Sequence, residues 1–233
     1  MNYIDASGRM IECESHHQKI VDSNYQVIGH EMLCRLKVGG VDVSVDIYLN
    51  SLSMEERTET EVELGFMHME YFFTSKLEGI CFINLSSDTV LHSVNSGRYE
   101  QIKERMSSNN IPLKRVCFEI LESSSRNEDM LYGYLLSKLF PTTTRALDDF
   151  DYNDDMARNR IDNIDFELVK VDKKYMLSNR YLELLYMHSL LVSKGKKIVF
   201  EGVESERDFK FFSSLSNSYC QGYYIHRPSP VKM

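Results

Sequence analysis

Short apolar runs alternate with longer amphipathic stretches along most of the chain. Five runs stand out: Cys81 to Leu85, Arg115 to Ile120, Thr144 to Asp148, Glu167 to Asp172 and Lys197 to Glu201. Each is brief and rich in β-branched or aromatic residues, which predicts strands. An earlier run, Val27-Ile28-Gly29-His30, closes on Glu31. Between the runs the spacing predicts helices. From Arg180 to Ser193, Leu182, Leu185, Tyr186, Ser189 and Leu190 share one face, and Gly195 is placed to act as a left-handed cap. Glu61 to Leu77, Asn127 to Leu139 and Glu204 to Leu215 read the same way. The polar, irregular segment from Val38 to Thr60 reads as a loop and a short helix. Strands alternating with helices imply a parallel sheet. This number of units in 233 residues implies a TIM-like (β/α)8 barrel filling one domain, residues 1–233.

The polar residues change the picture. Each run ends on, or is closed by, an acid, an amide or a base: Glu31, Asn84, Glu119, Asp148 with Asp149, Lys170 and Glu201. In a parallel barrel such ends converge on one face, where barrel enzymes keep their active sites. Carboxylates gathered there repel one another and protonate unless cations neutralise them. Oxygen ligands with one amide suit Mg²⁺, Mn²⁺ or Ca²⁺ rather than zinc. Two such ions can clamp the attacking and leaving oxygens of a phosphodiester displacement. Lys170 is placed to hold the attacking water or to offset developing charge.

Composition narrows the partners. A net charge of −8 argues against duplex nucleic acid, which calls for a basic stripe. It leaves room for a phosphate ligand bound through metal ions. The five cysteines, Cys13, Cys34, Cys81, Cys117 and Cys220, form no CxxC pair and read as reduced core thiols. No stretch is apolar enough to span a bilayer, and residues 1–13 hold no signal-peptide core, so a cytoplasmic protein is expected. His16 and His17 point to opposite sides of a strand and do not suit one ion. His68, His92, His188 and His226 have no metal-type partner at helical spacing. Ser86-Ser87 and Ser123-Ser124-Ser125 read as caps and turns.

These residues together resemble the EAL domain family of cyclic di-GMP phosphodiesterases, from about Cys13 to Pro230. The namesake motif stands as Glu31-Met32-Leu33, with Arg35 two positions on. Gln18-Lys19-Ile20-Val21-Asp22 is similar to the family's Gln-Pro-Ile-hydrophobic-Asp segment. Asn84 lies in Phe-Ile-Asn-Leu-Ser, Glu119 and Glu122 in Phe-Glu-Ile-Leu-Glu, and Asp148-Asp149-Phe150 matches the double aspartate. Lys170-Val171-Asp172, Glu201-Gly202-Val203-Glu204, Gln221-Gly222-Tyr223-Tyr224 and Arg227-Pro228 complete the series in family order.

The resemblance implies hydrolysis of cyclic di-GMP to linear pGpG by a stand-alone EAL-type barrel. The alternative it leaves is a catalytically weak or inactive module that binds cyclic di-GMP or a protein partner. The implied metal ligands are Glu31, Asn84, Glu119, Asp148, Asp149 and Glu201, holding two Mg²⁺ or Mn²⁺ ions, with Ca²⁺ inhibiting. Glu31, Glu201 and Lys170 are the implied catalytic residues, Lys170 acting on the water. Gln18, Arg35, Gln221 and Glu204 are implied on the ligand side, Arg35 through a phosphate. Glu122 is implied to hold the loop after the double aspartate. A homodimer is also implied. Three departures stand out. Met32 replaces a small residue and is expected to pack. Lys19 replaces a proline. The loop after the double aspartate reads Asp151-Tyr152-Asn153-Asp154-Asp155, without the family's two glycines. Asn153 is expected to take over left-handed geometry there, Asp151 less readily.

Overall fold

The computed structural model describes residues 1–4, 8–120, 141–171 and 181–231. The strands are β1 (Asn2–Ile4), β2 (Met10–Val21), β3 (Val27–Val38), β4 (Val41–Val43), β5 (Ile80–Leu85), β6 (Val116–Ile120), β7 (Thr144–Phe150), β8 (Leu168–Val171), β9 (Lys197–Phe200), β10 (Ser218–Gln221) and β11 (Ser229–Pro230). The described helices are α1 (Val45–Asn50), α2 (Met54–Thr74), α3 (Ser87–Asn95), α4 (Arg98–Ser108), α5 (Asp155–Asn163), α6 (Tyr181–Ser193) and α7 (Glu206–Ser213). The expected helix from Asn127 to Leu139 lies outside the described residues, as does Glu122.

Eight strands close a barrel in the order β2-β10-β9-β8-β7-β6-β5-β3, and β3 pairs back onto β2. From β3 round to β10 every pairing is parallel, while β2 runs antiparallel to both its neighbours. The expected barrel is therefore present, with one reversed strand. Two expectations about extent change. The strand ending at Glu31 continues to Val38, because its pairing with β2 persists as a ribbon from Met32↔His17 to Val38↔Ile11. The helix expected at Glu61 begins at Met54, because Ser53 and Glu56 form a reciprocal capping box. The Val38 to Thr60 segment thus holds β4, α1 and the first turns of α2.

Outward-facing strand residues and the helices share the main core. Met32, Ile83, Phe118, Leu147, Val169 and Phe200 pack with Phe66, Met69, Phe72, Met187 and Phe212. Met32 is buried there, so the departure in the namesake motif is accommodated by packing. A satellite core of Ile11, Cys13, Leu36, Tyr48, Leu49, Leu64 and Met67 fixes the ribbon and α1 against α2. All five cysteines are free thiols. Cys34 is half-buried beside a surface groove and packs on the edge of the satellite core, whereas the other four are buried. Among the described residues no helix is long and apolar enough to cross a membrane.

Candidate metal and ligand site

The barrel interior is layered. Ile20, Phe82, Cys117, Ala146, Leu168 and Val199 form an apolar floor. Side chains alternate along a strand, so the residue two positions on faces the same interior. Two positions beyond Phe82, Cys117, Ala146, Leu168 and Val199 stand Asn84, Glu119, Asp148, Lys170 and Glu201. On reversed β2 the matching step runs backwards, from Ile20 to Gln18, which pairs with Glu31. Gln221 pairs with Ile20 at the end of β10. The floor thus places a polar layer directly above itself. Gly29, two positions before Glu31, has no side chain because a Cβ there would meet Ile80 O at 2.4 Å and Phe82 Cε2 at 2.6 Å.

Lys170 occupies the centre of this layer and is 1% exposed. Its Nζ lies 2.9 Å from Glu119 Oε1, 2.9 Å from Glu201 Oε1, 3.0 Å from Asp148 Oδ1 and 3.3 Å from Glu31 Oε2. Around it, Asn84 Nδ2 donates to Glu31 Oε1 at 3.3 Å, and Gln221 Nε2 donates to Glu31 Oε2 and, at 3.1 Å, to Gln18 Oε1. Gln18 Nε2 donates to the His226 carbonyl at 2.9 Å.

The electrostatics follow from burial against one shared cation. Burial pushes Glu119 well above the carboxylate range, and Lys170 offsets this only in part. Burial also lifts Glu201 to about 8. For Glu31 burial acts in the same direction, but Lys170, Gln221 and Asn84 outweigh it and hold the group low. Burial alone would lower Lys170, yet Asp148, Glu119, Glu201 and Glu31 keep it firmly charged.

The double aspartate reaches the site through a backbone irregularity. Consecutive strand residues normally face opposite sides, but the β7–β8 register shifts between Leu147 and Phe150. Asp149 takes a left-handed conformation, φ 51°. Asp148, Asp149 and Glu201 consequently offer oxygens that all lie within 4.8 Å of one another. The left-handed residue of this region is Asp149 itself and not Asn153 as expected. Asn153 instead donates its backbone N–H to Asp151 Oδ1 at 2.9 Å in an Asx turn. Arg158 bonds the Tyr152 carbonyl and the Asp155 carboxylate, which fastens the glycine-free loop to α5.

A cavity of about 530 Å³ opens over the layer, lined by Gln18, Glu31, Arg35, Asp149, Glu201, Glu204 and Gln221, with Tyr223 and Pro228 at its edge. Arg35 and Glu204 are exposed. Arg35 and Leu33 also border a second groove of about 750 Å³ between the ribbon and α2, which Asn84 and Ser86 line. Every expected site residue among the described ones therefore lies in or beside this layer. The donor set fits a divalent cation: four carboxylates face one lysine, a fifth, Asp149, lies beside Asp148 and Glu201, the Asn84 amide bonds Glu31, and Glu119 Oε2 is buried and accepts no hydrogen bond among the described residues. Sequence reasoning missed Glu61, whose carboxylate lies under Ser86. An acid on the apolar stripe of a helix was the available signal.

Comparison with known proteins agrees with this architecture. The chain is 24% identical over 223 residues to the uncharacterised EAL-domain protein YkuI of Bacillus subtilis, covering 92% of this chain and 54% of YkuI. It spans 20% of another curated relative, an uncharacterised protein of Azorhizobium caulinodans, at 26% identity over 154 residues. In fold it matches the YkuI crystal structure, solved with cyclic di-GMP and calcium, at a TM-score of 0.77, 18% identity, 95% of this chain and 56% of that one. It matches Klebsiella pneumoniae BlrP1, solved with manganese and cyclic di-GMP, at 0.73, 18% identity, 94% of this chain and 56% of that one. The EAL domain family model matches residues 12–228, nearly the whole length, and the chain belongs to that family.

Proposed function

We propose that this domain hydrolyses cyclic di-GMP to linear pGpG with Mg²⁺ or Mn²⁺ at the barrel's polar layer. The carrying observation is the convergence of Glu31, Glu119, Asp148 and Glu201 around one buried lysine, with Asp149 beside Asp148 and Glu201 and Asn84 bonded to Glu31. These six residues would hold two ions, which when bound polarise the phosphodiester and lower the pKa of water. The chain's own groups do the rest. Lys170 holds positive charge at the centre of the layer, where it orients water and offsets developing negative charge. Gln221 supports Glu31 and is itself held by Gln18, and both glutamines line the cavity. Arg35 presents a guanidinium fork at the cavity wall for a phosphate, and Glu204 lines the same cavity on the ligand side. The family resemblance alone assigns Glu122, outside the described residues, to the loop after the double aspartate.

The fastened loop favours a second reading, a module that binds cyclic di-GMP, or a protein partner, without efficient turnover. Arg158 and the Asx turn tie down a segment that the family builds with glycines. Chromatography of cyclic di-GMP incubated with protein and Mg²⁺ or Mn²⁺ separates the two. Release of pGpG that stops in Ca²⁺ and in Glu31→Ala supports hydrolysis; intact ligand retained on the protein supports the module.

The domain is proposed to act as one unit, in the cytoplasm and as a homodimer. Leu182, Leu185 and Tyr186, exposed on α6, support the last point, and sedimentation analysis tests it.

A further inference from the structure

We infer that Glu61 is a positioning residue for the metal site, acting through Asn84. This rests on the metal-binding reading above. Glu61 lies on α2, remote in sequence from every motif, and its residue is 9% exposed. A buried carboxylate needs partners to offset its desolvation, and each oxygen of Glu61 has its own. Its Oε2 accepts from the Ser86 backbone N–H at 3.2 Å and from Ser86 Oγ at 2.7 Å. Its Oε1 accepts from Arg57 Nε at 2.9 Å, and Arg57 donates onward to Asn50 at 3.3 Å.

Ser86 is the N-cap of α3, its Oγ accepting from Thr89 N–H at 3.2 Å. The cap also stands two residues past Asn84, at the turn where β5 leaves the barrel. Glu61 therefore grips the turn that carries the only amide in the proposed ligand set. Asn84 in turn donates to Glu31, so the same grip steadies a carboxylate of the layer. Supporting residues of this kind orient metal ligands, and their loss typically weakens metal affinity about 10- to 100-fold.

The test is a double-mutant cycle on Mn²⁺ affinity, measured by calorimetry on the full chain. Glu61→Ala is expected to bind Mn²⁺ about tenfold more weakly than wild type, with an unchanged circular dichroism spectrum. The double variant Glu61→Ala/Asn84→Ala is expected to bind no more weakly than Asn84→Ala alone, because Glu61 has then lost the residue it positions. A merely structural role gives losses that multiply. If Glu61→Ala does not fold, Glu61→Gln enters the same cycle, with a smaller loss of the same non-additive form. Multiplying losses, or wild-type affinity in the Glu61 variant, overturns the inference and leaves the metal reading intact. A wild-type protein that binds no Mn²⁺ overturns the metal reading, and the inference with it.

Discussion

Lys170 Nζ lies 2.9 Å from Glu119 Oε1, with both side chains closed off from solvent. The lysine is the internal cation of a layer whose other charged groups are acids. Breaking a buried pair by removing one partner costs about 3–5 kcal/mol, because the other charge stays buried and uncompensated. Lys170→Met is therefore expected to lower the unfolding midpoint strongly in metal-free buffer. A divalent cation that binds the same acids restores part of the loss, since it binds the folded state alone. Thermal melts with EDTA and with Mn²⁺ check this, and a midpoint indifferent to Mn²⁺ contradicts it.

Gly29 sets the spacing of the barrel floor. A Cβ at this position meets the Ile80 carbonyl and the Phe82 ring well inside contact distance, and backbone cannot yield as a flexible side chain does. Gly29→Ala is expected to destabilise the protein by about 1–3 kcal/mol. Urea unfolding reads this as a lower midpoint at unchanged slope. Because Glu31 is two residues along, the same variant is expected to bind Mn²⁺ more weakly.

His68 confers acid sensitivity from outside the site. It is buried on α2 with Nδ1 2.7 Å from Ser15 Oγ, and burial pushes it down to about 4. The folded state thus prefers the neutral ring, whereas the unfolded chain protonates near pH 6.5. The resulting stability is complete above pH 6.5 and is lost as pH falls towards 4. His17, lowered to about 4 by burial and by neighbouring His226, Lys19 and His16, adds to the trend. At pH 5 the His68 contribution amounts to about 2 kcal/mol lost. His68→Gln is expected to have a flatter stability profile between pH 7 and pH 5 in urea titrations. An equally steep profile in that variant counts against the assignment.

Much of this was legible because a strand's period of two links floor to layer. Phe82 predicts where Asn84 faces, and Leu168 predicts Lys170, with no need of tertiary information. The helix from Tyr181 was legible as a helix, but its buried face was not: Leu184, Met187, His188 and Leu191 face the core, whereas the expected face of Leu182, Leu185 and Tyr186 is exposed. What was not legible depends on contacts remote in sequence. Nothing local in Asp148-Asp149 tells which residue turns left-handed, because the register shift against β8 decides it. The extension of β3 beyond Glu31 depends on its antiparallel partner β2. The sequence places Lys170 near a strand end, but its burial among four carboxylates depends on the strands that surround it. The start of α2 was readable, since Ser53 and Glu56 have capping-box spacing, but the polar character of the segment obscured it.

In the proposed function, a divalent cation joins this acidic layer to an anionic ligand. Without a cation, a phosphodiester faces a cavity bordered by Glu31, Asp149, Glu201 and Glu204 on a chain of net charge −8. Calorimetric titration of cyclic di-GMP into the protein, first in Ca²⁺ and then in EDTA, tests this most directly. Saturable binding is expected in Ca²⁺, with a loss of at least about tenfold in affinity in EDTA. Equal affinity in the two buffers, or no binding in Ca²⁺, contradicts it.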